Sequence, residues 1–224
     1  MKRYLQTITL LVLTLSLQTE AVGQEIRTLF RSIPIQVLPH FSAEHKEALL
    51  QAYDKCQSNS LPTDSLPVTN NYGASSYIIA LAEDFVYLQL DDEVTLQVKR
   101  LHTDQDKVLN SFVFTSLIAP NISVLIFYDD AWQQLPTDHY FQRPENRDFI
   151  QNVEKRDKNY IKARLNQTGP FALKYQWLQD EPVLLVENAS FQMEQMKKLY
   201  PELAKELSQA PLRYKWTNGK LIRE

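Results

Sequence analysis

Two short constellations hold the side chains with the most chemical reach. Asp129-Asp130, followed by Trp132, closes a strongly apolar run. Adjacent carboxylates beside an aromatic ring can line a sugar or peptide groove, and a pair of acids can hydrolyse a glycosidic bond when their separation suits it. Asp129 and Asp130 are therefore the candidate catalytic acids. The same dipeptide after a strand also makes an ordinary turn, because aspartate side chains bond to nearby backbone amides. His102-Thr103-Asp104-Gln105-Asp106 sets an imidazole and two carboxylates at alternate positions. Such groups can hold a divalent ion, but the spacing of a calcium loop does not follow. The plainer reading is a polar hairpin turn. Trp132, His102, Asp104 and Asp106 stand as candidates for a ligand or partner surface.

Other catalytic signatures are missing from the sequence. There is no HExxH for a zinc hydrolase, no GxSxG elbow, and no glycine-rich phosphate loop in a chain with only four glycines. His40 and His45 lie five apart, the wrong spacing for one helix face. The expectation is no metal and no cofactor.

The elements that position these residues centre on 77–135, a series of apolar runs broken by short acidic turns. Along 93–101, Val94, Leu96 and Val98 alternate with Thr95, Gln97 and Lys99, which predicts a strand with one dry and one wet face. Asp91-Asp92 can join it to a strand over 85–90, and 112–115 and 122–128 continue an antiparallel meander that calls for a helical cover. Upstream, Ser42 is the expected N-cap of a helix over 43–55, carrying Leu49, Leu50 and Tyr53. Downstream, 137–169 is the most polar stretch and the place for any two-lobe division; Pro144 can open a helix there with Phe149, Ile150 and Val153. Strands are expected over 171–178 and 183–186. A helix capped by Asn188 or Ser190 follows, and Pro201 restarts it. Asn218-Gly219 predicts a type I′ turn in a hairpin over 211–222. The fold class is α+β: antiparallel meander sheets with helices packed on one face.

The 224 residues suit one domain, and 44% hydrophobic residues suffice for a core. Lys2 and Arg3, an apolar run over 5–17, and Ala21-Val22-Gly23 have the layout of an export signal. That gives a signal peptide over 1–23 and one α+β domain over 24–224. The apolar run is shorter than the roughly 20 residues needed to span a bilayer, so no transmembrane anchor is expected after cleavage. Two positive charges and one negative charge leave with the signal, taking the formal charge from −3 to −4. Nothing in that balance suits nucleic acid. Cys56 is the single cysteine, so no internal disulfide can form.

Several segments occur in an order that resembles a secreted Bacteroidetes family, domain of unknown function 3256. They are Ile26-Arg27-Thr28-Leu29-Phe30, Asp84-Phe85-Val86-Tyr87-Leu88-Gln89-Leu90, Ile126-Phe127-Tyr128-Asp129-Asp130-Ala131-Trp132 and Pro211-Leu212-Arg213-Tyr214-Lys215-Trp216. The resemblance implies an exported α+β protein and no particular activity. The functional expectation is a periplasmic or secreted protein of the cell envelope, acting as a non-catalytic interaction or accessory module on an envelope protein or glycan. The alternatives are an exported hydrolase using acids at strand ends, and a small-ligand carrier.

Overall fold

A computed structural model describes residues 24–224, apart from 104–106, 152–158, 160–162, 164, 167 and 209. The expected signal segment 1–23, Val153, Asp104 and Asp106 lie outside the described residues. Eleven described strands form two antiparallel sheets. One holds the first seven strands and the other the last four, each strand beside its neighbour in sequence. With the helices below, this is the α+β class with antiparallel sheets. The chain divides into two compact units between Leu88 and Gln89.

The first unit opens with α1 (Gln24–Ser32) and α2 (Ala43–Ser58). Ser42 caps α2 as expected. Its Oγ accepts the His45 amide at 3.3 Å, and the His45 Nδ1 accepts the Ser42 amide at 3.4 Å, so this histidine completes a capping box. Lys46 is buried and donates to the carbonyls of Arg31 and Ile33. A cation thereby occupies the C-terminal end of α1, where carbonyls lack helical partners. Burial lowers the Lys46 pKa from the ordinary lysine value. The short β1 (Val68–Thr69) pairs with β2 (Ser75–Leu81), and α2 packs against both. Asn70 shapes their turn, accepting the Tyr72 and Ala74 amides at 2.8 and 3.1 Å. Cys56 is fully buried. β3 (Phe85–Gln89) follows.

The second unit holds β4 (Val94–His102), β5 (Val108–Ser116), β6 (Ser123–Tyr128) and β7 (Gln134–Leu135). β4 and β5 pair without a break from Val94↔Ser116 to His102↔Val108. After the 3-10 turns Thr137–His139 and Asn146–Phe149 come β8 (Leu173–Trp177) and β9 (Val183–Asn188). Helices α3 (Glu194–Leu199) and α4 (Pro201–Glu206) precede β10 (Leu212–Thr217) and β11 (Lys220–Arg223). Asn218 and Gly219 both take positive φ, 52° and 76°, as a type I′ hairpin turn requires.

Three local expectations are corrected. The face of β4 read as wet is dry: Thr95, Gln97 and Lys99 are 4%, 6% and 1% exposed. β8 lies across that face and bonds to it. The outward amides of Tyr175 and Trp177 donate to Ser123 Oγ at 3.0 Å and Gln97 Oε1 at 2.8 Å. Trp177 Nε1 donates to Ser111 Oγ at 3.0 Å, and Lys99 Nζ to the Gln179 carbonyl at 2.8 Å. Gln97, Lys99, Ser111 and Ser123 are thus the joint between two sheets, each hydrogen-bonded across it as burial demands. Pro144 opens no α-helix; Asn146–Phe149 is a single 3-10 turn that sends Phe149 inward. The 190s helix begins at Glu194, because Ser190 Oγ is taken by the Ala172 amide at 2.8 Å and Asn188 bonds to Phe191 in a separate 3-10 turn.

Candidate functional site

Asp129, Asp130 and Trp132 share one turn at the end of β6. Asp129 builds it: its Oδ1 accepts the Ala131 amide at 3.0 Å and the Gln133 amide at 2.8 Å. Trp132 sits at φ 61°, a left-handed conformation costly for a bulky residue. Its ring packs against Phe112 and Tyr128, with centroids at 6.1 and 6.3 Å. Asp130 is exposed on the same turn. His102 ends β4, exposed, and its carbonyl accepts Trp216 Nε1 at 2.7 Å. The Thr103 amide closes the hairpin onto the Lys107 carbonyl at 2.9 Å. Among the described residues, no three His, Cys, Asp or Glu side chains gather in a group suited to a metal ion.

A groove is built elsewhere in this unit, along the open edge of β6. β7 pairs only with Phe127 and Tyr128 and ends at Leu135, just before Pro136. The chain then turns away through Thr137–His139. Side by side in the ladder, Asp129 bonds towards Gln133, whereas Ile122 accepts from Ser116 on the β5 side. Backbone groups alternate along a strand, so those of Ser123 and Leu125 face the side where β7 has already ended. The Leu125 carbonyl receives Thr137 Oγ1 at 3.3 Å, and no described strand pairs with the two amides.

The groove between this edge and residues 137–143 holds about 1070 Å³ of space open to solvent. Leu125, Phe141 and Tyr175, all at most 7% exposed, give it an apolar base. Burial raises the Tyr175 pKa above the ordinary tyrosine value, and nearby Arg143 partly opposes that. Arg143 forms part of the wall and donates through Nη2 to the Phe171 carbonyl at 3.1 Å. Among the described residues it has no carboxylate partner. Its neighbours differ: Arg147 pairs with Glu145 at 3.0 Å and Arg223 with Asp148 at 2.8 Å. Asp138, the acid on the groove wall, is exposed. A cation, an apolar base and an edge of β6 thus line one cleft.

Sequence reasoning did not reach this groove. Its residues come from three segments, around Leu125, Phe141 and Tyr175, with no motif linking them. No signal in the sequence announces it, since Pro136 marks only the place where β7 ends.

The fold and groove together define an α+β protein of two antiparallel sheets with a solvent-open cleft in the second unit. The chain belongs to the family described as "Protein of unknown function (DUF3256)", whose pattern matches residues 18–221. A solved domain of an uncharacterized protein from Porphyromonas gingivalis W83 has the same fold. It superposes with a TM-score of 0.68 at 21% identity, over 89% of this chain and 99% of that one. No curated protein matches. Among the described residues no helix is long and apolar enough to cross a membrane.

Proposed function

We propose that this protein is an exported, non-catalytic binding module of the cell envelope, and that the groove beside β6 is where it engages its partner. The observation that carries the reading is Arg143, a cation with no carboxylate partner among the described residues, beside an apolar-based cleft. Pockets that bind combine apolar area with a few placed polar groups, as here. Export is supported by the basic start, apolar run and small residues ahead of Gln24. Asp129 spends its carboxylate on turn amides, which favours a structural role for it over that of a catalytic acid.

The test is a photocrosslinking residue placed in cells of the source bacterium at Gln142, exposed on the groove wall, and in a second strain at Asp130. Specific adducts at Gln142 and none at Asp130, on protein whose N-terminus lies near Gln24, are expected. Adducts only from Asp130, or protein retaining Met1 in the cytosol, would sink the proposal.

A further inference from the structure

We infer that the groove takes an extended peptide bearing a carboxylate, which adds as a strand to the open half of β6 while its carboxylate meets Arg143. This rests on the reading of the groove as the binding site. The two sheet edges nearest it are treated differently by the fold. The outward amides of β8 are closed by side chains, Tyr175 onto Ser123 and Trp177 onto Gln97. Among the described residues the outward amides of Ser123 and Leu125 on β6 receive no strand, because β7 stops at Leu135, and the Leu125 carbonyl takes only the Thr137 hydroxyl. An edge with unpaired backbone groups is a template for another strand unless it is blocked. Peptides bind such edges through main-chain bonds, with alternate side chains entering adjoining pockets.

Two features choose a peptide as the occupant. Among the described residues these two amides, two positions apart, have no strand partner, and carbonyls on one edge of an extended peptide share that spacing. The base of Leu125, Phe141 and Tyr175 lies beside that edge and suits an inward-facing apolar side chain. Charge complementarity sets the rest. Arg143 has five donors in a planar fork, spends one on Phe171, and can grip a carboxylate with two others. Asp138 on the same wall disfavours an acid at its own position.

Three randomised hexapeptide pools, each offered to the purified protein, test this. One has free C-termini and no Asp or Glu; one is amidated with Asp and Glu; one is amidated without them. Retention of the first or second pool at least tenfold above the third is expected, and which of the two wins tells a terminal carboxylate from a side-chain one. Arg143→Gln, with an unchanged melting temperature, should abolish the preference. A retained peptide should shift the Ser123 and Leu125 amide resonances and slow their hydrogen exchange. Equal retention of all pools, a preference that survives Arg143→Gln, or shifts confined to other strands would overturn the inference. If envelope oligosaccharides bind at the groove and no pool does, the peptide is wrong and the binding site stands; if neither binds there, both fail.

Discussion

Gln97 shows how a single residue is misread when its partner is distant in sequence. It alternates with Leu96 and Val98 as a solvent-facing residue would, yet it is 6% exposed and its Oε1 holds the Trp177 amide at 2.8 Å. The partner lies eighty residues on, so no local pattern could announce it. The interaction sets a prediction. Gln97→Leu keeps the bulk and removes the acceptor, leaving a buried N–H unsatisfied, which costs about 1–3 kcal/mol. Urea unfolding should show the loss as a lower midpoint with an unchanged slope. An unaltered midpoint would mean that water reaches the Trp177 amide and that the joint is less dry than its geometry. The histidine and aspartate candidates carry the converse lesson. His102 and Asp129 were visible because of their chemistry, and the structure uses the backbone of one and the carboxylate of the other to fasten turns and rings.

At the scale of elements, the strands were legible wherever alternation met a dry face. β8 presents Leu173, Tyr175 and Trp177 inward, and β10 presents Leu212, Tyr214 and Trp216, as their spacing demands. What was not legible is how elements end. β7 ends at Leu135 after two residues, and α3 begins only at Glu194, where the Ser190 hydroxyl is already taken by the distant Ala172 amide. The tyrosines of the inward rows make a measurable consequence. Burial raises the pKa values of Tyr175 and Tyr214, and Phe141 packs edge-on against both rings at 5.7 and 5.1 Å. A raised folded value favours the neutral phenol, so this contribution is whole below the unfolded tyrosine value of about 10 and is lost as pH rises through the higher folded values. Denaturant midpoints should therefore fall above about pH 10, together with late-ionising tyrosines in an ultraviolet titration. Tyr175→Phe with Tyr214→Phe should lessen that fall, leaving the share of Tyr128, whose pKa burial also raises. If the double variant declines identically, other groups govern the alkaline limit.

At the scale of the whole molecule, the class of fold was readable because two sheets of alternating strands leave few other solutions. The order β11-β10-β9-β8 also gives the C-terminal hairpin a structural place: β10 sits inside its sheet, paired with β9 on one side and β11 on the other. Trp216 is 8% exposed and stacks on Phe127 and Tyr140, centroids at 6.1 and 6.3 Å, with its Nε1 bound to the His102 carbonyl. β11 ties back as well, through the Leu221 amide to the Tyr140 carbonyl at 2.8 Å. A chain ending at Ala210 would lose Leu212, Tyr214, Trp216 and Leu221, all buried, and would leave β9 unpaired along one side. Fully burying such side chains stabilises by roughly 1.5–3 kcal/mol each, against a total of about 5–15 kcal/mol for a domain. Four anchors lost together consume most of that margin before the broken ladder is considered. The truncated protein should be insoluble, or melt far below the full chain with collapsed amide dispersion. An undiminished melting temperature would show the hairpin to be peripheral, and the ring stack around Trp216 would then need another explanation than stability.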